Sequence, residues 1–511
     1  MILNEEGLKD RAQWEAKGYR LPQFDRAAMI RKTLAHPTWL HFGAGNIFKA
    51  FQADAAQRLL DAGLVETGII AAERREKKPQ TSDNYTVKVT LKADGQVEKA
   101  VVGSIADTVY LYGGEARLQE IFENPSLQMV SFTITEKGYA LRDGHGEYLP
   151  DVAADLAGSP ETAKSYMGKL TALLYARYKK NRAPLAMVSM DNCSHNGDKL
   201  KAAISCFADV WGGPGFRAWL ENSVSFPWSM IDKITPGPDA SVAAMLAEDG
   251  LKAGTPFVNA EESEYLVIED NFPNGRPCLE KAGIFFTDRK TVDKVERMKV
   301  CTCLNPLHTS LAVYGCLLGY QHIWQEMQDA DLRKLVETIG YREGLPVVTD
   351  PGIIHPKDFI DTVVNVRIPN PFMPDTPQRI ATDTSQKLPI RFGETIKAYL
   401  VSDTLNVHDL KLIPLVFAGW LRYLMAVNDE GVPFEPSPDP LLSTAQAYVK
   451  DFRLGEKPDC SLLKGLLSNE QIFGVDLYQA GLAEAVCSYF TELCAGPGAV
   501  RQTLHKYTSE A

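Results

Sequence analysis

Three side chains able to handle a secondary alcohol together lie close along the chain. They are Lys299, Asn305 and His308, in the stretch Lys299-Val-Cys-Thr-Cys-Leu-Asn-Pro-Leu-His308. An amine can take the hydroxyl proton, a carboxamide N–H can stabilise the oxyanion left behind, and an imidazole can hold a neighbouring hydroxyl. A lysine works as a base near neutral pH only where an apolar or cationic setting lowers its pKa. The stretch heads an apolar run from Leu311 to Tyr320. By itself it is weak evidence, because such a trio near a helix start is more often a surface lysine, a helix cap and a core histidine. The nine histidines show no ligand-like spacing with one another or with cysteine, so no metal is expected.

The elements that would position such a trio start near the N-terminus. Thr38-Trp-Leu-His-Phe42 is β-prone and runs into Gly43-Ala-Gly45-Asn46-Ile47-Phe48-Lys49. From Ala50 to Gly63 the spacing predicts a helix, with Phe51, Ala55, Leu59 and Leu60 on one face. Gly68-Ile-Ile-Ala-Ala72 predicts a second strand, closed by Glu73-Arg-Arg75. Strand, glycine turn, helix, strand and acidic residue follow the order of a dinucleotide-binding βαβ unit, where glycines admit a pyrophosphate to the backbone. Against that order, Phe48 stands where the third glycine is expected, which leaves the cofactor reading open on spacing alone. Glu73 favours a free ribose hydroxyl and hence NAD, whereas Arg74 and Arg75 could accommodate a 2′-phosphate.

Alternation over residues 83–113 predicts several strands elaborating the core sheet. Met129 to Thr135 and Leu185 to Met190 read as buried strands with polar ends, Thr135-Glu-Lys-Gly-Tyr139 and Asp191-Asn192 through Asn196-Gly197. Polar strand ends face the ligand crevice of an α/β sheet, although ordinary turn chemistry favours the same residues. Beyond residue 290 the pattern is helical over Leu304–Tyr320, Leu332–Ile339 and Val407–Val427, with an irregular stretch from Pro369 to Pro389. The fold class expected is a Rossmann-type α/β N-terminal domain with extra strands, residues 1–288, and a mostly α-helical C-terminal domain, residues 289–511, joined near residues 286–292.

A formal charge of −11 argues against nucleic acid as a partner but leaves an anionic small substrate open, since local cations can oppose the global sign. The nine scattered cysteines include no Cys-x-x-Cys pair and read as reduced thiols. The N-terminal residues lack the apolar core of a signal peptide, and Leu412 to Leu421 is too short to span a bilayer. A cytoplasmic protein without membrane contact is expected. The oligomeric state stays open, with a monomer admissible.

Seven motifs, in order, carry a resemblance: Gly43-Ala-Gly45; Thr133-Ile-Thr-Glu-Lys-Gly-Tyr139; Ser189-Met-Asp-Asn192 with Asn196-Gly197; Ile231-Asp-Lys-Ile-Thr-Pro236; Val267-Ile-Glu-Asp270 with Gly275-Arg-Pro277; Leu304-Asn-x-x-His308; and Arg379 with Ser385-Gln-Lys387. On these the chain resembles the long-chain mannitol dehydrogenase family, which includes mannitol 2-dehydrogenases, fructuronate reductases and tagaturonate reductases. Lack of the third glycine is usual there. The resemblance implies NAD-dependent interconversion of a polyol or aldonate with its ketose or keto-acid. It makes Lys299 the general acid/base and Asn192 and Asn305 the oxyanion hole. Asp232, His308, Arg379 and Lys387 would hold substrate. Gly43, Gly45, Asn46, Ile47, Phe48, Glu73, Thr135, Glu136 and Lys137 would hold NAD.

One departure stands out. The family places its lysine and asparagine five residues apart; here they are six apart, at 299 and 305. On an ideal α-helix Asn305 and His308 are about 300° apart and share a face, whereas Lys299 falls about 180° from His308. A π-type turn, or a helix that begins after Lys299, would absorb the extra residue. For substrate, Arg379 and Lys387, with Arg367 and Arg391 near them in sequence, favour a carboxylate. Cys301-Thr-Cys303 and Leu266 also set the chain apart from mannitol enzymes. The expected reaction is reduction of D-fructuronate to D-mannonate. Tagaturonate or a neutral polyol (mannitol, arabinitol) is the alternative substrate, and a non-catalytic NAD-binding sensor the alternative of another class.

Overall fold

The computed structural model describes residues 1–75 and 82–510. It divides into two compact units, Met1–Asp293 and Lys294–Ala511, the division falling inside helix Arg289–Arg297.

The first unit is built on a six-stranded, all-parallel sheet: β1 (Trp39–Phe42), β2 (Ile69–Arg75), β3 (Ile105–Tyr112), β4 (Met129–Phe132), β5 (Leu185–Ser189) and β6 (Val224–Ser225), in spatial order β3-β2-β1-β4-β5-β6. The chain leaves β1 on one side for β2 and returns on the other for β4, so a crevice opens beyond the carboxyl ends of β1 and β4. Apolar residues cover both faces. Leu40, Phe42, Ile70, Val130, Phe132 and Met187 pack on one side, and Trp39, Ile69, Ala71, Met129, Ala186 and Val188 on the other. This two-sided burial is why the strands read as continuous apolar runs.

Of the strands expected over residues 83–113, only β3 joins this sheet. Thr86–Leu91 and Val97–Val102 form an antiparallel hairpin in a second sheet, between Tyr19–Arg20 and Phe257–Ala260. The short turn at Lys92–Gly95 dictates that, because two residues' worth of turn can only return a strand antiparallel. In a third sheet Tyr265–Glu269 pairs antiparallel with Ser229–Asp232 and parallel with Phe285–Thr287. The helix after β1 begins at Asn46 rather than Ala50, and widens into a π-turn over Phe48–Gln52 before continuing as Ala53–Asp61. At its head the Phe48 ring stacks on His41 of β1, centroids 4.0 Å apart and planes 9° from parallel.

The second unit is helical. Helix Asn305–Leu318 packs against Leu412–Leu424, a helix buried along its whole length. The latter starts at Leu412 because the buried Glu343 carboxylate accepts from the N–H groups of Lys411, Leu412 and Ile413 at 2.7, 2.7 and 2.9 Å, satisfying donors that would otherwise be orphaned. The stretch expected to be irregular, Pro369 to Pro389, holds two short helices, Pro377–Ala381 and Thr384–Leu388. The Thr376 hydroxyl caps the first, accepting from the Arg379 N–H at 3.2 Å. Among the described residues of this unit, π-turns occur at Met298–Cys303, Thr338–Gly344, Val363–Arg367 and Pro389–Gly393. No helix of the described residues is long and apolar enough to cross a membrane.

Candidate active site

In the first unit, residues from the cofactor and oxyanion assignments gather at the carboxyl ends of β1, β4 and β5. Gly43 has φ +94°, and a Cβ there would collide with the Thr133 carbonyl. The Thr133 hydroxyl closes the seam by donating to the Gly43 carbonyl at 2.8 Å. Gly45 differs: the nearest atom to a Cβ built on it lies 3.9 Å away. Its glycine answers to no crowding by the protein and leaves open the side from which a phosphate group approaches a helix N-terminus. The Asn46 amide reaches the Pro236 carbonyl at 3.4 Å, joining this turn to the Ile231–Pro236 motif. Ile47 is half-buried, and Phe48 is sealed in the core by its stack on His41. That imidazole sits between the Ser131 and Thr133 hydroxyls, at 2.7 and 2.9 Å, and burial pushes its pKa down to about 3. It is therefore a neutral core residue.

Glu73 is half-buried near the end of β2, and beyond it the exposed Arg74 and Arg75 stack over Tyr112, 5.7 and 5.2 Å from the ring centroid. Beyond β4, Thr135 has φ +65°, ψ 159°, a region that ordinarily only glycine occupies. Asp191, at the end of β5, holds it there. Its carboxylate accepts from the Ile134 N–H at 3.1 Å, the Thr135 N–H at 2.7 Å and the Tyr139 hydroxyl. The three donors offset burial, which raises the Asp191 pKa. Glu136 and Lys137 are exposed, Glu136 in an ion pair with Lys199.

Asn192 is exposed on the next residue of the β5 end. Close by, the buried Asn196 amide donates to the Asp191 and Ser229 carbonyls at 3.0 and 2.9 Å, while its oxygen accepts from the Ser229 N–H at 3.0 Å. That clamp ties the β5 end to the strand carrying Asp232, which is 8% exposed. Asp191 and Asn196 lie in motifs quoted for the resemblance but received no role in the sequence reading. Nothing in residue type separates a carboxylate that holds a strained loop from one that caps a turn.

In the second unit the extra residue is absorbed where spacing required it. Lys299, 3% exposed, lies in the π-turn Met298–Cys303, and the Leu304 N–H reaches back to the Lys299 carbonyl at 3.1 Å. Leu304 breaks the helix (φ −134°, ψ −61°), and Pro306 occupies the first turn of the new one. Pro306, Leu307 and all residues from Thr309 to Leu317 are buried, but Asn305 and His308 are half-exposed. The two polar residues thus hold the open face of an otherwise buried helix, as their separation on the helical wheel implies.

Arg391, on π-turn Pro389–Gly393, reaches this same first turn. Its guanidinium donates to the Thr309 hydroxyl at 2.5 Å and the Asn305 carbonyl at 3.4 Å, and burial lowers its pKa to about 10. Burial, with Arg391 and Arg379 nearby, brings Lys387 down to about 8; its amine donates to the carbonyls of Ile380 (2.9 Å) and Thr382. Arg379 is exposed and bound in a two-pronged pair by Asp375, which raises its pKa. Arg367 is buried at the end of its π-turn. The structure thus groups Arg391 with Asn305 and gathers Lys387 near Arg391 and Arg379, with Arg379 paired to Asp375. Among the described residues no cluster of metal-binding side chains occurs.

Comparison with known proteins covers nearly the whole chain. The mannitol dehydrogenase Rossmann domain matches residues 37–281, and the mannitol dehydrogenase C-terminal domain matches residues 291–494. A D-mannonate oxidoreductase of Thermotoga maritima is 48% identical over 535 aligned positions, covering 99% of each chain. A polyol:NADP oxidoreductase of Gluconobacter oxydans is 30% identical, over 81% of this chain and 86% of its own. Among solved structures, Pseudomonas fluorescens mannitol 2-dehydrogenase in ternary complex with NAD and D-mannitol superposes with a TM-score of 0.74 at 28% identity, covering 100% of both chains.

Proposed function

The chain belongs to the mannitol dehydrogenase family, and on that premise we propose that it is an NAD-dependent oxidoreductase interconverting D-fructuronate and D-mannonate in the cytoplasm. The residues at the β1 and β2 ends fit the dinucleotide: an unobstructed Gly45, a helix starting at Asn46, and Glu73 placed for a ribose hydroxyl. When bound, that group accepts hydride from the alcohol carbon or, reduced, donates it to the ketone.

The protein's own residues manage the proton and the charge. Hydride leaves the carbon as the hydroxyl proton departs, and Lys299 is the group assigned to take it. Its burial in the π-turn Met298–Cys303 supplies the desolvated setting a lysine base requires. The Asn192 and Asn305 carboxamides donate N–H groups to the developing alkoxide and stabilise it without adding an ion. Asp232 and His308 hold substrate hydroxyls.

The observation that carries the choice of a sugar acid is Arg391 bound to the Asn305–Thr309 turn, with Lys387 lowered by burial and then by Arg391 nearby. A carboxylate there gains partners that a neutral polyol does not offer. In this reading Arg379 also meets the carboxylate, exchanging Asp375 for it. The test is NADH and NADPH oxidation with fructuronate, tagaturonate and fructose. Turnover fastest with fructuronate and NADH is expected, and turnover of fructose alone would overturn the acid assignment. Arg379→Ala should raise KM for the uronate more than for a neutral ketose, and equal losses would remove Arg379 from carboxylate recognition. If NADH bound but no ketone turned over, the sensor reading would take its place.

A further inference from the structure

Far along the sequence from the residues assigned above, two cysteines share one open cavity. Cys460 opens the 3-10 helix Cys460–Leu463, and Cys487 lies on helix Ala483–Leu493. Both are half-exposed, and with Ser461, Tyr478 and Glu484 they line a cavity of about 440 Å3. The Cys460 sulfur donates to the Cys487 carbonyl at 3.6 Å and lies 3.8 Å from the Thr491 hydroxyl, which itself donates to that carbonyl at 2.8 Å. Cys487 beside it holds Cys460 at about 7 against burial, while Cys460 in turn pushes Cys487 up. The nine cysteines differ sharply in setting. Cys301, Cys303, Cys316 and Cys494 are buried, and burial pushes Cys303, Cys316 and Cys494 up to about 12.

We propose that Cys460 and Cys487 form a thiol–disulfide exchange site, at which Cys460 attacks a low-molecular-weight disulfide and Cys487 resolves the product to an internal bridge. In the first step the Cys460 sulfur forms a bond to one sulfur of the disulfide, and the other sulfur leaves as a thiolate that takes up a proton. Forming the mixed disulfide removes the Cys460 thiolate that raises Cys487, so Cys487 ionises more readily. Its sulfur then attacks Cys460, and the second small thiol departs with the Cys487 proton. Two protein thiols are oxidised and one small disulfide is reduced to two thiols. A dithiol reductant reverses both steps.

The experiment uses the reduced full-length protein and glutathione disulfide near neutral pH, read by intact mass and by peptide mapping after alkylation. A bridge between the Cys460 and Cys487 peptides is expected to form about tenfold faster than any adduct on the half-exposed Cys193, Cys206 or Cys278, because Cys487 in the same cavity consumes the mixed disulfide. Cys487→Ser should stop at a single glutathionyl group on Cys460, and Cys460→Ser should suppress both products. Modification of Cys460 no faster than Cys193, or separate adducts on Cys460 and Cys487 that never join, would overturn the proposal. Neither readout depends on the enzymatic assignment.

Discussion

The two units place polar chemistry by opposite means. In the first, polar groups stand at the carboxyl ends of parallel strands, where the chain must leave the sheet and side chains are exposed without any break in secondary structure. Precision there comes from local devices: Gly43 against Thr133, and Asp191 holding Thr135 at positive φ. In the second unit the assigned residues sit within helices that are largely buried, where an unbroken α-helical register puts Lys299 opposite His308. A π-turn and a break at Leu304 rephase the helix instead. Strand ends offer site positions as a by-product of the fold, whereas the buried helix offers Asn305 and His308 on its open face and sets Lys299 off from them by a register defect.

The largest expected effect tests the helical half. Lys299→Ala should lower kcat by about 10²–10⁴-fold, the range for a lost general base. Fluorescence titration should show NADH affinity intact, and a parallel loss of affinity would assign Lys299 to structure instead.

The strand-end half can be broken at its two glycines. Gly43→Ala should fail to fold stably, because backbone must move to accept the methyl group. Gly45→Ala should keep its melting temperature yet bind NADH about tenfold more weakly, or about 1.4 kcal/mol, as the methyl group fills the open side. If both variants behaved alike, the distinction between the fold's glycine and the ligand's glycine would fail.

A smaller effect is expected at Asp191. Asp191→Asn trades an acceptor of three hydrogen bonds for a group that presents its own N–H to those donors. It should destabilise the fold by about 1–3 kcal/mol. Released from Asp191, Thr135 should relax from φ +65°, raising KM for NADH more than it lowers kcat. Steady-state kinetics beside thermal unfolding would separate the two, and an unchanged KM would confine Asp191 to stability.

The most modest effect lies at Lys387, which burial holds at about 8. Its folded pKa is below the unfolded value of 10.5, so between about pH 8 and 10.5 the unfolded chain binds more protons and stability rises with pH. Uronate binding should move the other way: as Lys387 loses its charge above about pH 8, KM for fructuronate should climb. In Lys387→Met that rise should vanish, and a rise that persisted would point to another group.

Much of the first unit was legible in the sequence. Continuous apolar strands, Gly43-Ala-Gly45 and Glu73 carry the βαβ order, and the polar ends at Thr135 and Asp191-Asn192 fall where the sheet displays them. The hairpin at Thr86–Leu91 and Val97–Val102 was legible as strands but not as a separate sheet, since alternation names a strand without naming its neighbour. The helix after β1 starts at Asn46, four residues before the Ala50 that apolar spacing predicts, and Phe48 in its first turn is stacked in the core on His41. Pro369–Pro389 read as irregular because its helices are too short to show a period, and Thr376 and Pro377 were the only signals of the first.

By itself, then, the chain determined the residue types and spacings on which the site assignment rests, with Lys299 and Asn305 six apart, one more than the resemblance implies. Residue types and spacings are local, and one surplus residue shifts helical phase by about 100° whatever surrounds it. Only the tertiary structure decided how that surplus is absorbed: a π-turn over Met298–Cys303, packed against the π-turns Thr338–Gly344 and Pro389–Gly393. It also decided that Arg391 meets the Asn305 turn and that Asp191 keeps Thr135 strained. Each outcome depends on which distant backbone or side chain lies within hydrogen-bond reach.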